Sequence, residues 1–579
     1  MPRMKMSAKV AVLALLPICV FGMSPAYGWP GASAARKFIF HGWDTAAAGP
    51  EEILENADAF AASGIDGVVV ALRGKGVGGM YSPALGSPAW RSEYVLPRMA
   101  TLKEFKKHDG LKESFLMHYF TPKARLDWDD DAAWARAEGQ LRDLGRIGAG
   151  AGMKGYVLDH EDYNLTNQLR YDPVLDGPSY EVAYGKARKR GAQVFGALLA
   201  EHPDAVLLMF EAFTEDEGVV CAPDQAAANK ARGNLWSAVL NGLLDVLPPT
   251  ARFVDGNENS YWSQYWAREY YVKASYPMQA LGLVAPENRA KYKAQMEVSF
   301  GYFFDFYLEE PKRKKKPEDP TKGMDPVEHF NRNLQQGALL ASEYVWLYGE
   351  KRCIVPWKKC DASAVWKRAD FRKALGGADG GTWEGALPGI SEVMRAVKDP
   401  FAYSAAKRVE DMKELVVNGA CLSDNDKVPK PFTVYQEAAD SNIVVFVDRT
   451  CGDGDSCSFG IRGVAGAKSW TSIMQDVPVE PCGLYRVAIS VKGETRTTTA
   501  SDRGSPANVR WKRNGAYDWH VPSPPIPLSG PDADGWRRGA TVLFVPHDID
   551  TITLVVCVPF PKGANVDLRF DNFSVKRVK

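Results

Sequence analysis

The chain has 579 residues, 45% hydrophobic and 11% aromatic, and its 71 Lys plus Arg are balanced by 71 Asp plus Glu. That length exceeds what one core fills, so two or three domains are expected, and the lack of net charge argues against a dedicated nucleic-acid binder. The 16 Trp supply flat apolar rings of the kind that stack on sugars.

At the N-terminus, Arg3, Lys5 and Lys9 precede the apolar run Val10 to Met23, and small residues follow at Ala26-Tyr27-Gly28 and Ala32-Ser33-Ala34. This is the pattern of a secretion signal over residues 1–28, so a secreted or periplasmic location is expected. The run is too short to span a bilayer and no later run does. Ile18 stands before Cys19, where a lipoprotein signal has a small residue, so no membrane anchor is expected. Without Cys19, eight of the nine cysteines remain. Cys353 with Cys360, or Cys451 with Cys457, would close short disulfide loops, and no CxxC pair suggests zinc.

From Lys37 onward, short β-rich runs alternate with amphipathic stretches. Strands are predicted at Lys37 to His41, Ile65 to Leu72, Ser114 to Phe120 and within KGYVLDHEDYN (Lys154 to Asn164), where Tyr156-Val157-Leu158 leads into Asp159. Four more follow at Ala205 to Phe210, Arg252 to Asp255, Glu297 to Phe304 and Tyr344 to Tyr348. A helix opens at Pro50-Glu51-Glu52, with Pro where its missing N–H costs least, and another is predicted from Asp131 to Leu144. Eight strands separated by helices predict the α/β class with a closed parallel (β/α)8 TIM barrel. The rival, an open doubly wound sheet, lacks its Gly-rich phosphate loop, because His41-Gly42-Trp43-Asp44 follows strand one.

Ala386 to Ala420 reads as helical and completes a barrel domain over residues 36–422. Ser423 to Phe432 is polar and Pro-containing, the start of a linker over 423–440. Beyond it, Asn442 to Val447, Gly483 to Ser490, Thr541 to Val545, Thr551 to Val558 and Val566 to Val575 are β-type runs between turn-rich segments. They predict an all-β sandwich over 441–579.

Barrel enzymes place their sites at the C-terminal ends of the strands. On this register those ends carry Asp159, Glu161, Glu211, Asp255 and Glu258 as catalytic candidates. Trp43, His41, Asp44, His118, Tyr163, Trp262, Asp305, Trp346 and Tyr348 are the substrate-binding candidates, and Arg73 ends strand two. In a strand, residues two apart share a face, so Asp159 and Glu161 stand side by side. Breaking a glycosidic bond needs one carboxylic acid to protonate the leaving oxygen and one carboxylate to attack, or to activate water, at the anomeric carbon. Neighbouring carboxyls split each other's pKa values, and aromatic rings stack on sugar faces. No cofactor or metal is needed for this chemistry.

Structural roles compete at several positions. Asp44 also fits a helix cap, His41 and His118 fit hydrogen-bonded structural histidines, and the DGNEN segment holding Asp255 and Glu258 reads as a turn. A zinc hydrolase barrel wants paired histidines on strand one, where HGWD offers one. Glu211, Asp255 and Asp305 imitate the carboxylates by which sugar isomerases hold divalent ions. The run Lys312 to Lys316, KRKKK, follows strand seven as either a solvated loop or a positive rim for an anionic polysaccharide.

Val479 to Gly493, VEPCGLYRVAISVKG, and Phe570 to Val575, FDNFSV, resemble two strands of the CenC-type carbohydrate-binding module. The likeness covers roughly Ser469 to Lys579 and implies a jelly-roll; it departs at Cys482, where the family has Gly, and at Ser490-Val491, which lacks the family's aromatic residue. Leu158 to Tyr163, LDHEDY, is similar to the D-x-E of chitinase-type and lysozyme-type barrels, which implies Glu161 as acid and Asp159 as its partner. The α-galactosidase-type layout instead implies Asp159 as nucleophile and Asp255 as acid. The chain is therefore expected to be a secreted glycoside hydrolase acting on a poly- or oligosaccharide. The alternatives are a non-catalytic glycan-binding barrel and a divalent-metal sugar isomerase or epimerase.

Overall fold

A computed structural model describes residues 36–578 except 73–83, 264–266, 310–320, 322, 358–380, 409–411, 424–426, 437–441, 465–468, 494–505, 520–525 and 561–564. The secretion signal, Arg73, Cys360 and the KRKKK run lie outside the described residues.

Among the described residues, nine strands form one curled parallel sheet: β1 Lys37–Gly42, β2 Gly67–Ala71, β3 Phe115–Tyr119, β4 Gly155–Asp159, β5 Val206–Met209, β6 Arg252–Asp255, β7 Met296–Val298, β8 Gly301–Phe303 and β9 Tyr344–Gly349. Their order is β7-β6-β5-β4-β3-β2-β1-β9-β8. The sequence predicts one strand from Glu297 to Phe304. In the structure that run divides at Ser299 and Phe300, so the two ends of the sheet are consecutive in the chain. Ser299 accounts for the break: its N–H donates to Asp255 O of β6 at 2.8 Å, while its hydroxyl donates to Tyr344 O of β9 at 2.9 Å.

The strands are buried on both faces, as parallel sheets require, and alternation sorts their side chains into two layers. Ile39, Val69, Met117, Val157, Leu208 and Trp346 fill the inside of the curl. Phe38, Phe40, Leu116, Leu158, Leu207 and Phe253 face outward into a larger core shared with helices such as Asp131–Ala151, Tyr180–Glu201 and Trp236–Val246. The first of these helices is capped by Asp130, which accepts from Ala133 N at 2.9 Å, and ends at Gly152 in the left-handed conformation.

Two antiparallel sheets follow. One runs in the order Asn442–Asp448, Ser458–Val464, Asn565–Arg577, Leu484–Lys492, Trp536–Phe544, and the other Thr433–Gln436, Ser469–Pro478, Thr551–Phe560, Ala507–Arg513, Ala516–Tyr517. They enclose a separate core that includes Phe459, Ile489, Leu554 and Phe570.

Two expectations about the join are corrected. The region read as linker holds Thr433–Gln436, paired with Ser469–Pro478, and Phe432 is buried against Phe459 and Phe573. The predicted helix to Ala420 stops earlier, at Ile390–Lys398 and Pro400–Ala405. Met412 and Val416, spaced like a helical stripe, are buried, and Lys413–Glu414 pairs with Asn565–Arg577. Their apolar spacing is met by a sheet edge. Cys451 and Cys457 are free thiols, the latter donating to Cys421 O at 3.0 Å. Cys482 has φ 62, the left-handed region in which the resembled family's Gly is at ease, and its carbonyl accepts from Gln335 Nε2 of helix Pro326–Leu340 at 3.0 Å.

Strand spacing has its own steric limit at Gly155, where a Cβ would fall 1.9 Å from Val206 O of β5. Gly155→Ala is expected to destabilise the fold by about 1–3 kcal/mol, read as a lower midpoint in urea denaturation at unchanged slope.

Candidate active site

Where the apolar filling of the curl ends, the strand termini deliver polar groups to one cavity of about 400 Å³. His41 continues the inward row of β1, Asp159 and Glu161 that of β4, and Tyr348 that of β9. Glu211 follows β5, and Glu258 begins the 3-10 turn Glu258–Trp262 after β6. The floor is aromatic: Phe210 stacks on Trp346 with centroids 4.4 Å apart, and Tyr261 lies 5.2 Å from Trp346. Trp346 is pinned by its indole N–H to Gly256 O at 2.8 Å.

Burial governs the charge of this site. It holds the Asp159 carboxyl well above the usual range, and the neighbouring Glu161 adds to the shift, while the Glu161 N–H donating to Asp159 Oδ1 at 2.9 Å opposes it. Glu161 is also raised, first by burial, and accepts from the Tyr163 hydroxyl. Glu258 is pushed up to about 8 by burial and then by Glu161 and Asp159. No hydrogen bond from the described residues holds its carboxyl.

Glu211 is pushed up to about 8, by burial and then by Asp255, and Asp255 to about 6 by burial. Thr214 Oγ1 lies 3.1 Å from Glu211 Oε2 and 2.8 Å from both Asp255 oxygens. A hydroxyl has one proton to donate, so serving both acids requires one to be protonated, and Glu211 is the one held neutral. Burial disfavours the charged form of His160, yet Glu215, with Oε1 at 3.7 Å from Nε2, followed by Glu211 and Glu258, together outweigh it and raise the pKa. The His160 ring stacks on Trp236 at 4.7 Å.

Of the expected site residues, Asp159, Glu161, Glu211, Glu258, His41, Tyr163, Trp262 and Tyr348 line the cavity, with Tyr163 and Trp262 exposed at its rim. The others are placed elsewhere. His118 shares the outward row of Leu116 and is fully buried beside Phe120, where desolvation lowers its pKa to about 3. Asp255 follows Val254, an inward residue, and therefore faces out of the curl behind Glu211. Asp44 is buried and accepts from Ile354 N at 2.8 Å and Trp357 Nε1 at 3.1 Å, tying β1 to the segment after β9. Trp43 donates its indole N–H to the Tyr348 hydroxyl at 3.0 Å. Asp305 sits in helix Phe304–Glu309, one residue past the expected strand, and accepts from Glu350 N at 2.8 Å. Trp346 lies beneath the cavity rather than on its wall.

Glu215, Glu350, Tyr261 and Phe303 also line the cavity and were not among the expected site residues. Glu350 directly follows β9 and accepts from the Tyr348 hydroxyl at 2.9 Å, so its place at a strand end was a usable signal. Glu215 lies in a loop with no sequence signal. Among the described residues, no group of three or more His, Cys, Asp or Glu is arranged to hold a metal ion.

No protein-family model matches the chain, and no curated protein matches it. Among solved structures, a GH18 chitinase from Pseudoalteromonas aurantia is 12% identical, over 54% of this chain and 93% of that one, with TM-score 0.27. The carbohydrate-binding module TmCBM61, solved with β-1,4-galactotriose, is 14% identical over 28% and 99%, with TM-score 0.20. The enzymatically active domain of bacteriophage CBA120 tailspike protein 4 is 16% identical over 28% of this chain, with TM-score 0.22, and this chain spans 21% of its length.

The buried acids predict how stability depends on pH. Glu258 has an ordinary value of 4.5 and a folded value of about 8. Between those values the native protein holds more protons than the unfolded chain. The contribution is therefore fully present below about pH 4.5 and is lost as pH rises through about 8. Glu258→Gln removes this loss, so its melting temperature should exceed that of the wild type at pH 9 and not at pH 4. A difference that does not vary with pH would contradict the burial of an ionisable Glu258.

Proposed function

We propose that the chain is a secreted glycoside hydrolase that cleaves a poly- or oligosaccharide in the cavity at the C-terminal ends of β4, β6 and β9. The observation that carries this is the meeting of Asp159, Glu161 and Glu258 over aromatic rings, with Glu258 held protonated near neutrality. In this reading the parallel sheet is a closed (β/α)8 barrel. Its seventh strand is the interrupted run Met296 to Phe303, and Ser299 bridges β6 and β9 across the interruption. The following β-sandwich is an accessory module of the carbohydrate-binding kind, and residues 1–28 direct export.

Glu258 protonates the leaving glycosidic oxygen, because a group with pKa near 8 still holds its proton at pH 7 and can release it. Glu161, oriented by the Tyr163 hydroxyl, is the carboxylate that attacks or activates water at the anomeric carbon. Asp159, the more buried of the pair, stays neutral beside Glu161 and limits the charge that must accumulate in the site. Tyr261, Trp262 and Tyr348 supply faces for the sugar rings.

The test is turnover on a panel of glycans by the wild type, Glu161→Gln and Glu258→Gln. Each variant is expected to lose about 10²–10⁴-fold in kcat. With an aryl glycoside whose leaving group needs no protonation, Glu258→Gln should recover most of its rate and Glu161→Gln should not. The reverse pattern would exchange the two roles. Full activity in both variants, or glycan binding without any turnover by the wild type, would overturn the hydrolase reading. The alkaline fall of wild-type kcat/KM near pH 8 should be present on a glycan substrate and largely absent on the aryl glycoside, checked by pH–rate profiles on both.

A further inference from the structure

We infer that the glycan bound in this cavity is built from amino sugars bearing free, protonated amines. The inference rests on the glycosidase reading for its site and deepens it by naming the substrate class. Six carboxyl side chains line the cavity, those of Asp159, Glu161, Glu211, Glu215, Glu258 and Glu350, and no Lys or Arg does among the described residues. Hydrolysis of a glycosidic bond uses two of them, Asp159 is held neutral beside Glu161, Glu211 shares the Thr214 hydroxyl with Asp255 and Glu215 faces His160, so it is Glu350 that calls for a separate explanation.

The one lining residue able to carry positive charge, His41, does not supply it. His41 is 3% exposed, its Nδ1 has no hydrogen-bond partner among the described residues, and burial holds its pKa at about 4. The bases around the cavity already have partners: Lys273 donates to the carbonyl of the lining residue Asn259 at 2.7 Å, Lys351 lies 4.0 Å from Asp305, and His160 faces the lining acid Glu215. A uronate or sulfate placed here would meet the like charge of Glu161 and Glu350, and a neutral sugar would leave those two carboxyls desolvated against the Tyr163 and Tyr348 hydroxyls.

An ammonium group answers both problems. It donates three hydrogen bonds and has no acceptor to satisfy, beside Glu350, whose pKa burial raises, it favours that acid's ionised form, and it is attracted to the faces of the Tyr261 and Tyr348 rings. Those two rings lie nearly parallel, 6.0 Å apart. Glu350 is the carboxyl best placed to be dedicated to such a group, since Asp305 holds its backbone and Tyr348 its side chain.

The experiment uses the full chain and matched tetramers: β-1,4-linked glucosamine, its fully N-acetylated counterpart, α-1,4-linked galactosamine, a neutral glucan and a polyuronate fragment. Binding is followed by calorimetry and cleavage by product release. At least one free-amine tetramer is expected to bind about tenfold or more tighter than its acetylated, neutral or acidic counterparts. Glu350→Gln, at an unchanged melting temperature, is expected to weaken that binding by about 10- to 100-fold and to leave binding of the acetylated tetramer nearly unaltered. Equal or tighter binding of acetylated, neutral or acidic tetramers, or no binding of either amine tetramer, overturns the inference. So does an amine preference that survives Glu350→Gln. Cleavage of a neutral or acidic glycan without amine preference would leave the hydrolase reading standing. Selective amine binding without cleavage by the wild type would do the opposite.

Discussion

Carboxyl groups placed where water is scarce are the constraint on which this site depends. The inside of the curled sheet is filled by Ile39, Val69, Met117, Val157, Leu208 and Trp346, and the next residues along the same inward rows are His41, Asp159 and Tyr348. An ionised carboxylate in that position loses its hydration and gains little in return unless something pairs with it. The architecture around the cavity can be understood as a set of answers to that cost.

The answers differ from acid to acid. Glu211 and Asp255 share the Thr214 hydroxyl, which one protonated and one ionised acid can satisfy together. Glu215 is matched by His160, whose ring is fixed against Trp236. Glu350 is held through its own backbone by Asp305 and through its side chain by Tyr348, which in turn accepts from Trp43. Asp159 and Glu258 have the least direct help, and they are the ones whose neutral forms are most favoured beside Glu161. A site that keeps some acids neutral and others charged is equipped for proton transfer.

Several residues that chemistry alone would place in the site serve the frame instead. Asp44 anchors the segment after β9 through Ile354 and Trp357. Asp305 orients Glu350, and Trp346 supports the floor through Phe210, Tyr261 and Gly256. The sandwich touches the helical layer through the Cys482 carbonyl and Gln335, a contact that coincides with the left-handed residue in its resembled strand motif. These positions are one step removed from the cavity, and their substitution would act through the groups they hold.

Much of this could be read from the chain alone, because it depended on local pattern. Apolar runs of the right length located the parallel strands, and the abrupt change from Leu158 to Asp159-His160-Glu161 marked a strand end with its acids. The β-type texture beyond residue 441 announced the sandwich. What the linear pattern could not carry was which way each side chain faces and what lies opposite it. His118 and Asp255 stand at strand ends as expected, yet alternation turns both away from the cavity. Ser299 divides a continuous apolar run because its partners are on β6 and β9, distant in sequence. Met412 and Val416 keep a helical spacing but are taken up by a sheet edge. Composition and periodicity thus determined the elements and the kind of groups at their ends. Only the packing of strands against one another decided which acids share a cavity, because the charge of a buried carboxyl depends on neighbours that the chain brings together through space.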